Sequence, residues 1–492
     1  MGSRPRAGLG DTLFTRMAGI TRLCFVSFAC FSFSLFAQTA PRAAVRRAPA
    51  MPRICAACIR AHENFLASDA LNGRGSATHD ELVAATYIAA QLQQYGVEPI
   101  GDGGGYLQKV ALEKRKQAAP PQLTYSLAGQ EIAWKHGAEM LVLESAATDR
   151  QGPLVKWQQG AAVPKGAFVL LVPAVGGRVS EQEIHKAMDG GAGVILIPAS
   201  PRSRAHWQAV SQRLFQGTIQ LQGEARVADT GGTPILILSD EAMTQVGKVP
   251  EETAMHFSAP MSEPEPLSTW NVLGVIRGSD PVLEHKAVLF SAHLDHLGVG
   301  NPVNGDATYN GADDDASGVT AVLELARVLG SGAKPRRTVL FALFGSEELG
   351  GLGSRYFREH PPVPLTEMAA NLEFEMIGRP DAAVKPDQLW LTGWERSNLG
   401  PVLAAHGAKL VGDPHPKENF FARSDNYELA LKGVVAQTIS SYGLHADYHQ
   451  PSDEVGKLDF AHMERAIGSL VGPVKWLVNS SFTPEWSKGG KP

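Results

Sequence analysis

Ionisable side chains directly follow the apolar segments in the second half of the chain. Histidines and carboxylates occur together at these places, and they form the ligand mixture that zinc prefers in proteins. Ligands of open α/β sheets bind at the carboxyl ends of the strands, so residues that follow successive strands are expected to meet. The segments concerned are 292–296, 311–318, 345–350, 373–378 and 441–449.

The run of three aspartates and the pair of glutamates suit a site with two metal ions. Two ions about 3.5–4 Å apart need a carboxylate that both share, and one aspartate of the run 313–315 can supply it. Neighbouring loop residues point in different directions, so one of Glu347 and Glu348 can bind metal while the other acts as a general base. Taken singly, such residues also fit a core histidine, a helix N-cap or a solvated surface. Their joint placement after consecutive strands favours the metal site.

The elements that must position these residues alternate between strands and helices. This alternation predicts an α/β fold with a mostly parallel, doubly wound sheet and helices on both of its faces. Gly96 is expected to end the first of the helices. The predicted strands are 287–291, 338–344, 370–377 and 433–439, and the predicted helices are 79–96, 317–329 and 460–478.

Residues 116–265 differ from the flanking regions in their pattern of apolar runs, and this difference predicts an inserted domain. Apolar runs at 167–173, 193–198 and 234–238 indicate strands, and 180–188 indicates an amphipathic helix. The arrangement resembles a protease-associated domain, which is a smaller, β-rich unit. Because this region has few paired histidines or carboxylates, we expect it to border the site and shape access to it.

The first 37 residues predict a secretory signal peptide. Leu23–Phe36 is an apolar run of 14 residues after several arginines, and such a run is too short to span a bilayer comfortably. Cleavage after Ala37 or Ala40 would export the protein to the periplasm or the medium, without a stable membrane partner. An uncleaved membrane anchor is the alternative. In an oxidising compartment Cys55 and Cys58 predict a local disulfide, with free thiols as the other possibility.

Length and charge bound the remaining possibilities. The chain has 492 residues, which predicts two or three units. Its formal net charge of −5 and the absence of a basic run argue against nucleic acid as a partner. Apart from the signal peptide and the insert, the predicted units are an N-terminal part of the main domain at 38–115, its larger part at 266–480 and a tail at 481–492.

Several motifs resemble those of the co-catalytic zinc aminopeptidase family, which lies in metallopeptidase clan MH with relatives of glutamate carboxypeptidase II and the bacterial leucyl aminopeptidases. The resemblance covers 55–115 and 268–475 and implies a zinc exopeptidase fold. It also implies two zinc ions that activate a water molecule, and peptides as substrates. The motifs are AHLDHLG, YNGADDDASG, FGSEELGGLGSRYF, EMIGR and DYHQPSDE.

The resemblance implies a set of metal ligands. Asp314, the middle aspartate, is expected to bridge the two ions, and His293 to bind one of them. Glu348 and His449 are expected to bind the other ion. The last ligand of the family is an aspartate before a methionine, and Glu375 takes that position here. Glu373 is the alternative, because it lies two residues earlier on the same face of a strand.

Four further residues receive roles from the same resemblance. Glu347 is expected to be the general base, and Asp295 to orient the imidazole of His293. Tyr448 is placed to donate a hydrogen bond to a developing oxyanion or to pack. Asp425 is a candidate substrate contact, where the family's Ser-Asp-His reads Ser-Asp-Asn in this chain.

Three other functions are compatible with parts of this pattern. A carboxypeptidase or dipeptidase would keep the metals and use Arg379, Arg423 or Lys417 to anchor an acidic group. A glutaminyl cyclase would use one zinc ion, and a binding module would have lost the catalytic groups. Retention of His293 with Asp314 argues against the cyclase, and the intact Glu347 with its full ligand set argues against the binding module. An aminopeptidase is the prediction, with the carboxypeptidase or dipeptidase as the alternative. The pattern leaves the oligomeric state open.

Overall fold

The computed structural model of this chain describes residues 53–143, 148–158, 161–173, 179–224 and 232–492. The predicted signal segment 1–37 lies outside the described residues. Within the described ranges, no helix combines the length and the apolar character needed to cross a bilayer.

The secondary structure falls into three stretches of the chain. The N-terminal segment, residues 53–115, contains α1 (Ala56–Leu66), α2 (His79–Gln94), β1 (Glu98–Pro99) and β2 (Leu107–Arg115). The insert, residues 116–265, contains β3 (Gln122–Leu127), β4 (Gln130–Lys135), β5 (Met140–Val142), β6 (Thr148–Trp157), β7 (Phe168–Leu171), α3 (Glu181–Asp189), β8 (Val194–Pro198), α4 (Pro201–Ala205), α5 (Trp207–Gln216), β9 (Thr218–Leu221), β10 (Ile235–Leu238), α6 (Asp240–Lys248) and β11 (Ala254–Ala259). The remaining stretch contains β12 (Glu265–Ile276), β13 (Ala287–His293), β14 (Gly298–Val303), β15 (Asp306–Tyr309), α7 (Gly318–Gly330), β16 (Val339–Phe344), α8 (Leu352–Glu359), β17 (Met368–Phe374), β18 (Leu389–Leu391), α9 (Leu399–Ala405), β19 (Leu410–Gly412), α10 (Asn426–Leu431), β20 (Val435–Ser440) and α11 (Phe460–Asn479).

The main sheet has the strand order β19-β18-β20-β17-β13-β16-β12-β2-β9, with β1 paired to β12. Its four central strands, β16, β13, β17 and β20, run parallel. The strands β12, β2 and β9 on one side are antiparallel, as is the pair of β18 and β20. The predicted α/β fold is confirmed, with its parallel strands in the centre of the sheet. Their carboxyl ends therefore lie side by side along one edge.

Helices cover both faces of this sheet. Every residue of β13 is buried, as expected for a parallel strand enclosed on both sides. One face packs against α1, α2, α7 and α11, in a core that includes Phe290, Val322 and Leu470. The other face packs against α8 and α10, in a core that includes Leu289 and Leu429.

The predicted elements of the main sheet lie where the sequence placed them, with one informative difference. The predicted strand 370–377 is too long, because β17 ends at Phe374. Glu375 still donates its N–H to the carbonyl of Ile439, 3.0 Å away. Met376 then adopts a positive φ of 52° and turns the chain away from the sheet. Glu375 consequently lies at the mouth of the strand and not within it.

The N-terminal segment also follows the predictions closely. Thr78 caps α2 by accepting a hydrogen bond from the N–H of Glu81. The helix ends at Gln94, and Gly96 has the positive φ of 77° that favours glycine after a helix. Cys55 and Cys58 form the predicted local disulfide.

The insert builds a second sheet in the order β4-β3-β11-β6-β7-β8-β10-β5. This sheet has its own core, which includes Phe168, Leu196 and Leu236. The strand β9 is the exception, since it leaves the second sheet and pairs with β2 at the edge of the main sheet. The insert is thus joined to the main sheet by a strand as well as by its two chain connections.

Candidate metal centre

The predicted site residues converge at the carboxyl ends of the central strands. His293 is the last residue of β13, and Glu375 comes one residue after β17. Glu347 and Glu348 follow β16, in the loop before α8. The turn between β15 and α7 holds Asp314, and the loop after β20 holds His449. Parallel strands thus gather at one place residues that lie far apart in sequence.

His293, Asp314 and Glu375 form the first cluster. One ligand atom from each lies within 4.8 Å of the others. The Nε2 of His293 is 3.1 Å from Oδ1 of Asp314. Glu373, the alternative ligand, is turned away and accepts the backbone N–H of Asn426 at 2.5 Å. The geometry therefore groups Glu375, and not Glu373, with the histidine.

The second cluster uses the other oxygen of the same aspartate. His449 Nε2 lies 3.3 Å from Asp314 Oδ2 and 3.1 Å from Glu348 Oε2. A further histidine, His296, lies next to the other oxygen of Glu348, with its Nδ1 2.9 Å from Oε1. Asp314 thus stands between the two clusters and presents one oxygen to each.

His296 received no role from the sequence, although it belongs to the AHLDHLG motif. A signal was present, because a second histidine follows His293 by three residues at the end of a buried strand. The structure places His296 beside Asp314 and Glu348. One possible ligand atom from each of the three residues lies within 4.8 Å of the other two. The side chain of His296 is completely buried.

Asp295 connects the first strand end to the loop that follows β16. Its carboxylate accepts the backbone N–H groups of Glu347 at 3.0 Å and Glu348 at 3.3 Å. The hydroxyl of Ser76 donates to the same carboxylate at 2.5 Å. His293 Nδ1 is 3.8 Å from that carboxylate and 3.2 Å from the backbone carbonyl of Asp295. Asp295 therefore holds both glutamates in place in addition to lying beside the histidine.

Two other carboxylates fix the backbone around Asp314. Asp315 accepts the backbone N–H groups of His293 at 3.2 Å and Met376 at 3.0 Å. Asp453 accepts the N–H groups of Asp313 and Asp314, both at 3.1 Å. These bonds tie the aspartate turn to the neighbouring strand ends, so the position of Asp314 is set by backbone contacts on both sides.

Arg74 and Glu81 of the N-terminal segment support the loops of the site, and neither role was predicted from the sequence. Arg74 is fully buried and donates to the carbonyls of Leu294 at 3.0 Å, Gly311 at 2.7 Å and Asp314 at 3.2 Å. Glu81 accepts the N–H of Ser346 at 2.8 Å. The sequence indicated only a turn at 72–75, because these contacts span more than 200 residues of chain.

Tyr448 and Asp425 both lie at the site. The Tyr448 ring stacks on the ring of His449 with centroids 3.9 Å apart. Asp425 is buried, and burial raises the pKa of its carboxyl group to about 7. Tyr448 therefore packs against His449. That its hydroxyl donates a hydrogen bond to a developing oxyanion stays a prediction.

The donor set fits a pair of divalent cations. Eight carboxylates crowd the site, and their ion pairs are with histidines. Burial raises the pKa values of Glu347, Glu373 and Asp315 well above their ordinary range, because the buried charges lack sufficient positive partners. Buried charges need a counter-charge or a metal. The eight are Asp295, Asp314, Asp315, Glu347, Glu348, Glu373, Glu375 and Asp425.

A pocket opens next to Glu375, on the side of the first cluster. Its walls include the aromatic side chains of Trp390, Phe420 and Tyr442. Arg423 lies at its edge, with its guanidinium 4.9 Å from the centre of the Phe420 ring. Of the other two cations considered from the sequence, Arg379 pairs with Asp447 at 2.7 Å, and Lys417 is exposed.

Comparison with known proteins agrees with this geometry. The probable leucine aminopeptidase 2 of Aspergillus oryzae is 29% identical over 181 residues, which are 35% of this chain and 34% of that protein. A probable zinc metalloprotease of Pyrenophora teres f. teres is 33% identical over 118 residues, 24% of each chain. The matched part therefore spans about a third or less of these relatives.

The fold is shared with a solved structure over most of the chain. An aminopeptidase from Aneurinibacillus sp. strain AM-1 superposes with a TM-score of 0.53 at 18% identity, covering 88% of this chain and 96% of that one. Residues 271–471 match the sequence model of peptidase family M28. This range contains both clusters, Glu347 and the loops that carry them. This part of the chain, about two fifths of its length, is therefore similar to peptidase family M28.

Proposed function

We propose that this protein is an exported di-zinc aminopeptidase that removes residues from the N-termini of peptides. The observation that supports it best is the placement of Asp314 between two clusters of ligands, with Glu347 beside them. The names of the relatives, a leucine aminopeptidase and a zinc metalloprotease, point to the same chemistry. Export rests on the signal peptide predicted at 1–37.

Each site residue has a proposed task. His293 and Glu375 would hold one zinc ion, Glu348 and His449 the other, and Asp314 both. When bound, the two ions would lower the pKa of a water molecule and polarise the scissile carbonyl. Glu347 would take the proton of that water and pass it to the leaving amine. The hydrogen bond from the backbone N–H of Glu347 to the Asp295 carboxylate fixes the backbone of Glu347 beside the site.

The charge of the site favours the amino end of a peptide over the carboxyl end. The ionisable side chains around the two clusters are mostly carboxylates, and such surroundings attract an ammonium group more than a carboxylate. The aromatic walls at Trp390 and Phe420 suit an apolar side chain on the terminal residue. A carboxypeptidase would instead use Arg423, which lines the pocket, to bind the terminal carboxylate of its substrate.

The insert is proposed to be a protease-associated domain that shapes access to the site. Its boundaries, 116–265, follow from the sequence, and the second sheet lies within them. Glu224 of this region contacts Arg355 of α8, the helix that begins just after the Glu347 loop. A substrate that approaches this loop would therefore meet the insert nearby.

The test is cleavage of blocked and unblocked peptides by the mature protein. We expect release from leucine anilide after zinc is restored to chelated enzyme, and no cleavage of N-acetylated peptides. Glu347→Gln should lower kcat by about 10²–10⁴-fold while zinc content stays unchanged, because only the general base is lost. Glu395→Gln, at a glutamate whose side chain is 79% exposed, is the matched control and should keep full activity. Cleavage of N-acetylated peptides alone would contradict the aminopeptidase and favour a carboxypeptidase.

A further inference from the structure

The backbone of His296 is held rigidly at the edge of the second cluster. Its N–H donates to the carbonyl of Arg74, and its own carbonyl accepts the N–H of Ser76, both at 3.2 Å. The ring packs against Gly311, where a Cβ atom would come within 2.5 Å of the imidazole. Gly311 has a positive φ of 59°, so glycine both permits the turn and leaves room for the ring. The position of the imidazole is thus fixed from three directions.

The imidazole of His296 faces two buried oxygens without forming a hydrogen bond to either. Its Nδ1 is 2.9 Å from Glu348 Oε1 and 3.9 Å from Asp314 Oδ2. All three atoms are buried, and none has a hydrogen-bond partner of good geometry. Buried polar atoms without partners are costly, and three that face one point indicate a missing ligand.

The distances among these atoms are those of donors to one ion. Ligand atoms about 2.0–2.2 Å from a tetrahedral zinc ion lie roughly 3.3–3.6 Å from one another. The separations of His296 from Glu348 and Asp314 bracket this range, at 2.9 and 3.9 Å. His449 Nε2 completes the group, 3.1 and 3.3 Å from the same two carboxylates.

We propose that His296 is a fourth protein ligand of the ion that Asp314, Glu348 and His449 would hold, and that this ion would become five-coordinate when it also binds the water of the proposed function. This inference rests on the two-metal centre of the proposed function. With His296 as a ligand, the two metal sites would differ in their number of protein ligands. The ion near His296 would have two imidazoles and two carboxylates. The other ion has three protein ligands, His293, Asp314 and Glu375. The ion beside His296 should therefore bind more tightly and leave last.

Zinc content measured during dialysis against graded chelator tests this proposal. The wild-type protein should release its zinc in two steps. In His293→Gln the step at low chelator concentration should be absent, and the step of the more tightly bound ion should remain. His296→Gln should weaken the tighter step by more than about 100-fold, beyond the about 10–100-fold typical of a residue that only orients a ligand. His62→Gln, at a buried histidine bonded to Tyr87, is the matched control and should keep both steps. Unchanged tight binding in His296→Gln would overturn the proposal.

A second measurement needs no variant and so does not depend on one that folds. Zinc-edge X-ray absorption of wild-type protein loaded with one equivalent of zinc should reveal two imidazoles on the ion. One imidazole would overturn the proposal, since His449 or His293 alone would account for it. Neither readout requires turnover. A protein that binds zinc in these two steps but cleaves no peptide would contradict the proposed function and leave this inference standing.

Discussion

His293, Asp314, Glu348, Glu375 and His449 come from five separate segments of the chain and meet around one carboxylate. Residue type and position after a strand were enough to predict this meeting, because parallel strands end at a common edge. The choice between Glu375 and Glu373 was not predictable from periodicity. It depends on where β17 ends, and the positive φ of Met376 that ends it is a property of the folded chain.

His296 shows a second limit at the residue scale. The second histidine of the AHLDHLG motif was a signal in the sequence, but its spacing from His293 does not decide whether its ring faces the site. Its position comes from the backbone bonds to residues 74 and 76, more than 200 residues earlier in the chain.

The buried carboxyl group of Glu63 on α1 predicts a pH dependence of stability. Burial raises the pKa of its carboxyl group from 4.5 to about 8. The folded state therefore retains a proton that the unfolded chain releases, and the free energy of unfolding falls as pH rises from about 4.5 to about 8. Glu63→Gln should remove this loss and raise the free energy of unfolding at pH 8 by an amount on the order of a few kcal/mol.

Urea unfolding of both proteins at pH 5.5 and pH 8 measures the effect. The gain from Glu63→Gln should be larger at pH 8, and Glu464→Gln on the exposed face of α11 should change neither value. An equal gain at both pH values would contradict a raised pKa at Glu63.

At the scale of elements, the N-terminal segment acts as a support for loops that belong to the main domain. Arg74 binds three carbonyls of the two metal-binding loops, and Glu81 binds the backbone at Ser346. The family match begins only at residue 271, so this support lies outside it. Sequence patterns predicted α2 and the turn before it, but the partners of that turn follow from the packing of α2 on β12.

Ser76→Ala tests this support with a small change. The hydroxyl of Ser76 donates to the carboxylate of Asp295, which in turn holds the N–H groups of Glu347 and Glu348. Its loss should lower activity or zinc affinity by about 10–100-fold, while the free energy of unfolding falls by only about 1 kcal/mol. Parallel assays of kcat/KM, zinc affinity and urea unfolding measure the three quantities.

The control removes a similar hydroxyl elsewhere. Ser331 donates to the carbonyl of Arg327 at the end of α7, in an exposed position. Ser331→Ala should leave activity and zinc affinity unchanged. If Ser76→Ala behaved in the same way, the proposed support of Asp295 from the N-terminal segment would be wrong.

At the scale of the whole molecule, two sheets with separate cores share the chain. The core of the insert, with Phe168 and Leu196, does not include the residues that pack the main sheet around Phe290. The sequence predicted the change in the pattern of apolar runs near residue 116, four strands of the main sheet and three strands of the second sheet. The pairing of β9 with β2 was not predicted, because a short strand of four residues carries no signal of which sheet it joins.

The central claim is that Asp314 stands between two metal ions at the edge of the main sheet. Anomalous scattering at the zinc edge, from crystals of the mature protein grown with zinc, tests it most directly. We predict two peaks about 3.5–4 Å apart on either side of Asp314. One should lie beside His293 and Glu375, and the other beside Glu348 and His449. A single peak, or two peaks away from Asp314, would contradict the account.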